Sequence, residues 1–138
     1  MTQRNIHGEW EIKFQERILI TTVSGATNEE AAHVWFNEVK QCILESKHKK
    51  TTPWCFISDL RNWEMSPSEV WEPTNAVFSW AFDNQCIFWG FIFSKQIQKF
   101  ALERGALSSD KFQFFFGYDE AYQACLDKLA EAKNQKGK

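Results

Sequence analysis

The chain has 138 residues with 16 Lys and Arg against 18 Asp and Glu, a formal net charge of −2. Such a balance offers no broad electrostatic footprint for nucleic acid or an anionic membrane. No stretch is apolar for long enough to span a bilayer, and the N-terminal M-T-Q-R-N-I-H-G-E-W lacks the apolar region of a signal peptide, so a cytoplasmic protein is expected.

Trp10–Gln15 alternates Trp10, Ile12 and Phe14 with Glu11, Lys13 and Gln15, the period of a half-buried strand. Glu16 and Arg17 turn the chain into a β-branched second strand, Arg17–Ser24, which completes an antiparallel hairpin. Thr27 and Glu30 form a capping box before a helix with Ala32, Trp35, Phe36, Val39, Cys42 and Ile43 on one face, ending near Ser46. The basic run Lys47–Lys50 complements that helix end.

Two apolar runs follow, Trp54–Ile57 and Cys86–Phe93. Both are too short for buried helices and rich in aromatics and isoleucine, as in strands covered on both faces. The third strand, Trp54–Ser58, carries Asp59 at its carboxyl end and a loop over Leu60–Met65. Ser66-Pro67-Ser68-Glu69 combines a capping box with proline at the first helical position and predicts a helix from Pro67. Pro73 then either kinks it or splits off a main piece, Pro73–Phe82, with Val70, Val77, Phe78 and Ala81 toward the sheet. This crossover makes strands three and four parallel, and strand four reads as the central one. Ser94 caps a helix over Lys95–Arg104 with Ile97, Phe100 and Ala101 inward and Gly105 as its stop. Phe112–Phe116 is the fifth strand. Asp119 caps a last helix that buries Tyr122, Cys125, Leu126 and Leu129 and frays over Ala130–Lys138. The expectation is one α/β domain over residues 1–138, ordered from about 6 to 130, with a five-stranded mixed sheet, four helices and the order β-β-α-β-α-β-α-β-α.

Four cysteines, Cys42, Cys55, Cys86 and Cys125, fall one per element with no paired spacing, which predicts reduced core thiols. His7, His33 and His48 are scattered, so neither a metal nor a cofactor is expected. Asp59 lies where open α/β sheets place ligands and can serve as an anchor or base, or simply pair with Arg61. Ser66 and Ser68 are candidate phosphoacceptors, with plain N-capping as the alternative for Ser66.

The unusual feature is aromatic content, 7 Trp and 13 Phe. Trp63 falls in the loop beside Asp59. Trp71 and Trp80 are nine residues apart, about 180° around a continuous helix, so they cannot share one face. Either these side chains complete the core, or some line a pocket or a contact surface.

The element order, the strand running into Asp59-Leu60 and the loop to Met65-Ser66-Pro67-Ser68, the I-F-W-G-F-I-F strand, and the closing F-F-F-G-Y-D-E-A-Y-Q-A-C-L resemble the anti-sigma-factor-antagonist (STAS) and SpoIIAA-like domains of bacteria, from Trp10 to about Ala130. A similar look is found in orphan proteins of bacterial genomes and mobile gene cassettes. The resemblance implies that fold and, in regulatory members, a phosphorylatable Ser or Thr in an Asp-Ser-(Ser/Thr)-Gly run. Here that run is replaced by Ser66-Pro67-Ser68-Glu69.

Together these features point to a non-enzymatic interaction or regulatory domain that self-associates or binds another protein through an aromatic surface around Asp59, Trp63, Trp71 and Trp80. The alternative is a carrier for a small apolar ligand, a lipid or aromatic metabolite, with its pocket near Asp59 and Trp63.

Overall fold

Alternating strand and helix signals organise a five-stranded sheet in the computed structural model, which describes residues 8–46, 52–64, 70–106 and 109–136. The elements are β1 Glu9–Gln15, β2 Ile18–Ala26, α1 Glu29–Glu45, β3 Trp54–Glu64, α2 Trp71–Asp83, β4 Cys86–Ile92, α3 Gln96–Gly105, β5 Phe112–Phe115 and α4 Tyr118–Lys136. The strands lie in the order β1-β2-β3-β4-β5. β1 pairs antiparallel with β2, and every other pairing is parallel. The expected order and mixed sheet are therefore present. The centre is β3 rather than β4, because each crossover steps one strand further in the same direction.

That stepping, with right-handed crossovers, puts α1, α2 and α3 on one face and leaves the other to α4. The side chains confirm the division. Leu19, Trp54, Phe56, Trp89 and Phe91 pack with Val39 of α1, Val77 and Phe78 of α2 and Leu102 of α3. Ile18, Ile20, Cys55, Ile57, Phe88 and Ile92 pack with Ala121, Cys125 and Leu129 of α4. At the middle of the first layer Phe56 and Trp89 stack with centroids 3.7 Å apart at 7°, and the Trp89 indole N–H donates to Ser58 Oγ at 2.9 Å. A buried tryptophan keeps its polar atom satisfied in this way.

Local details depart from expectation for identifiable reasons. Glu16 and Arg17 both have positive φ, 52° and 63°, so the hairpin turn takes Arg17 and β2 starts at Ile18. Asn28, not Thr27, caps α1, its Oδ1 accepting the Ala31 N–H at 3.0 Å. Pro73 neither kinks nor splits α2. It sits in the first turn, where its missing N–H has no helical acceptor to lose. The predicted helix start at Pro67 and the basic run 47–50 lie outside the described residues. Lys95, not Ser94, occupies the cap of α3. α4 begins at Tyr118, so Asp119 lies in its first turn instead of capping it, and the helix continues through Lys136 where fraying was expected. All four thiols are free, and Cys55, Cys86 and Cys125 are buried.

Candidate functional site

β3 runs six residues beyond the predicted Trp54–Ser58, so Asp59 lies within the strand and Leu60–Glu64 is strand instead of loop. Thr22 stands opposite Asp59 and Ser24 opposite Asn62, so Leu60 and Arg61 face the single residue Val23. This is a β-bulge, and it resets the alternation of side chains. Before it, Cys55, Ile57 and Asp59 point to the α4 layer. After it, Trp63 joins Trp54, Phe56 and Leu60 on the other face.

The bulge separates two residues expected to share a pocket. Asp59 is 6% exposed and faces away from Trp63. Its carboxylate accepts from Arg61 three times: Nε at 2.9 Å, the terminal nitrogen at 2.7 Å and the backbone N–H at 3.2 Å. The hydrogen bond to Asp59 raises the guanidinium pKa further above its ordinary value. Burial first, then the Asp59 charge, raises the Tyr118 phenol at the start of α4. A carboxylate gripped in this bidentate fashion fixes the bulge.

Trp63, 7% exposed, meets Trp71 edge to face with centroids 6.4 Å apart at 80°. Trp71 in turn lies against Gly105, where a Cβ would land inside the indole. Trp80 is not part of this group. It is two and a half turns along α2, about 13 Å away by helical rise, and packs on Trp54 and Phe36 at the amino end of the sheet. The structure thus brings Trp63 and Trp71 together and places Asp59 and Trp80 elsewhere. Ser66 and Ser68 lie outside the described residues.

Behind Trp63 and Trp71 is a cavity of about 70 Å³, lined among others by Trp35, Ser58, Leu60, Phe78 and Leu102. The Trp35 indole N–H is buried there without a protein acceptor among the described residues. A dry apolar cavity that admits benzene is about 150 Å³, roughly twice this volume.

Sequence reasoning missed Gln98. This α3 residue is 4% exposed. Its amide nitrogen donates to the carbonyls of Leu60 at 2.9 Å and Trp63 at 2.8 Å, and its oxygen accepts the N–H groups of Ser94 at 2.9 Å and Lys95 at 3.1 Å. One side chain therefore fastens the start of α3 to the bulged end of β3. Ser94 Oγ adds a bond to the Arg61 carbonyl at 2.7 Å. With Gln98 and Leu102 inward, two of the three residues read as inward turn out: Ile97 is 53% and Phe100 58% exposed, while Ala101 stays packed against the core, and Phe116 just past β5 is exposed as well. Arg104 leans over the Phe100 ring at 5.6 Å. The outer face of α3 thus carries Ile97 and Phe100 among Glu103 and Arg104, while the tryptophans are largely inside. The spacing of Gln98 and Leu102, four apart, was the available signal.

Among the described residues no helix is long and apolar enough to cross a membrane, and no group of His, Cys, Asp or Glu could hold a metal ion. His33 is paired with Glu29 at 3.7 Å on exposed α1.

No family model and no curated protein matches the chain by sequence. Solved structures do match. An anti-sigma factor antagonist from Mycobacterium paratuberculosis superposes with a TM-score of 0.64 at 14% identity, over 86% of this chain and 93% of that one. An uncharacterised protein of the DUF3478 family with a SpoIIAA-like fold, from Shewanella loihica, superposes at 0.60 with 12% identity, over 91% and 98%. The fold of the chain is accordingly the STAS, or SpoIIAA-like, α/β fold.

Proposed function

We propose that this chain is a non-enzymatic regulatory domain that works by binding another protein, and that the partner docks on the outer face of α3. The single observation that carries this reading is the orientation of α3. Gln98 fixes it so that Ile97 and Phe100 face solvent, and an exposed aromatic beside an arginine is the composition of an interface anchor. The anti-sigma factor antagonist among its structural neighbours supports a regulatory role by analogy of fold. Asp59 supports it too, since a carboxylate committed to Arg61 serves the bulge instead of acting as a base.

The test is quantitative affinity capture from the native cells with three baits: the unaltered chain, Phe100→Glu and Leu44→Glu. Leu44 is also exposed, on α1, and controls for an added surface charge. A partner anchored by Phe100 loses at least about 2 kcal/mol of binding, which is more than tenfold in enrichment, with Phe100→Glu and keeps its enrichment with Leu44→Glu. Equal enrichment on all three baits contradicts the reading. A small apolar ligand is the weaker alternative, because the cavity behind Trp63 would have to double in volume to take one ring.

A further inference from the structure

We infer that the cavity behind Trp63 and Trp71 binds a small uncharged carbonyl compound, a short ketone or aldehyde, whose oxygen accepts hydrogen bonds from Trp35 and Ser58. The site does not depend on the docking surface proposed for α3, so either can fail without the other.

The inference starts from hydrogens without acceptors. The Trp35 indole N–H is buried at this cavity and has no hydrogen-bond partner among the described residues. An indole nitrogen can only donate. Ser58, 4% exposed, lines the same cavity. Its oxygen accepts the Trp89 indole N–H at 2.9 Å, while no described group accepts its own hydrogen. Thr21 stands beside Ser58 in the pairing of β2 with β3, and its fully buried hydroxyl has no partner among the described residues either. Leaving such groups unpaired costs folding free energy. Three of them within one aromatic layer point to an acceptor that arrives from outside the chain.

The walls decide its chemistry. Leu60, Val70, Phe78, Phe91 and Leu102 make most of the lining apolar. The Thr74 hydroxyl, also in the lining, already donates to the Val70 carbonyl at 2.8 Å. The site therefore offers hydrogens and little that accepts them in return. Water brings hydrogens of its own and needs several polar partners, so it suits these walls poorly. A carbonyl oxygen accepts hydrogen bonds and donates none, and its alkyl groups match apolar walls. Charge excludes an anion: no described residue lining the cavity is Lys, Arg or His, and a buried carboxylate without a counter-charge is costly. Size sets the limit. The cavity holds about 70 Å³, about half of what accommodates benzene, which leaves room for about three or four non-hydrogen atoms. It is partly open to solvent, so a ligand can exchange.

The experiment follows the assigned indole N–H resonances of the isotope-labelled, unaltered chain during titration with acetone, isobutene and acetate. These share one skeleton: a carbonyl, the same shape without oxygen, and a charged analogue. Acetone should move the Trp35 indole proton downfield along a saturable curve, with cross-relaxation from its methyl protons to Leu60 and Leu102. So few atoms bind weakly, and saturation should come in the millimolar range. Isobutene and acetate should produce no such downfield movement. Trp35→Phe should weaken acetone roughly fivefold, the worth of one hydrogen bond, and leave isobutene unchanged. No saturable movement with acetone, the same movement with isobutene, or full acetone affinity in Trp35→Phe overturns the inference. So does cross-relaxation between the Trp35 indole proton and a long-lived water that persists at saturating acetone, which assigns the site to water alone. Should Trp35→Phe fail to fold, the titrations of the unaltered chain decide.

Discussion

Replacing Gln98 with leucine removes the clamp between α3 and the bulge of β3 while keeping an apolar side chain of similar size. Two backbone carbonyls, Leu60 at 2.9 Å and Trp63 at 2.8 Å, lose their donor from Gln98. An orphaned buried acceptor costs about 1–3 kcal/mol. The Ser94 and Lys95 N–H groups also lose an acceptor, but both residues are exposed and water replaces it. Burying the leucine side chain returns at most about 1.5–3 kcal/mol, and less in a site shaped for an amide. The expected net loss is about 2–3 kcal/mol. Urea unfolding followed by tryptophan fluorescence measures it, and Trp63 and Trp71 should report a changed environment in the folded baseline. A midpoint within about 0.5 kcal/mol of the parent at unchanged slope would refute the assignment of Gln98 as the clamp, because it would mean that the two carbonyls do not depend on it.

Gly105→Ala sets two effects against each other. Alanine gains about 1 kcal/mol of helix propensity over glycine, but its Cβ falls inside the Trp71 ring. Overpacking of that kind costs about 1–3 kcal/mol, so thermal unfolding should show net destabilisation with a shifted tryptophan emission, and stabilisation would contradict the contact. Stability should also fall at high pH. Burial pushes the Cys86 thiol up, a side-chain hydrogen bond with Cys55 together with burial pushes Cys125 up, and burial raises Tyr118 and Tyr122. The unfolded chain therefore releases these protons first. For Cys86 and Cys125 the contribution is whole below the unfolded thiol value of 9.0 and is lost above it, by up to about 1.4 kcal/mol per pH unit for each thiol. Denaturant midpoints from pH 7 to 10.5 test the sign, and a flat profile above pH 9 would contradict the burial of these thiols in the folded state. In native protein at neutral pH, Cys42 should be the first thiol alkylated, as the other three are buried.

Element order was legible because period-two strands, apolar runs and helical stripes are local patterns. What failed depended on contacts distant in sequence. Strand four, an unbroken run of apolar residues, reads as more central than strand three with its Ser58, Asp59 and Arg61. Yet pairing on both sides makes β3 the centre. The bulge at Leu60 and Arg61 disguised five further residues of strand as loop, and with them the side each residue faces. Asp59 and Trp63 look like neighbours in sequence and occupy opposite faces of the sheet. Pro73 reads as a break, but position within the first turn decides what a proline costs. On α3 a buried amide displaced the apolar residues that periodicity assigned to the core, because four backbone groups needed it more than the core needed Ile97 or Phe100. The surface proposed to bind a partner was therefore hidden among residues that read as core.

The most direct test of the central claim is site-specific photocrosslinking in the native cells, with a benzophenone amino acid in place of Phe100 and, separately, of Leu44. A covalent adduct to one protein is expected from position 100 and none from position 44. An adduct of equal yield from both positions, or from position 44 alone, would contradict the placing of the docking surface on α3.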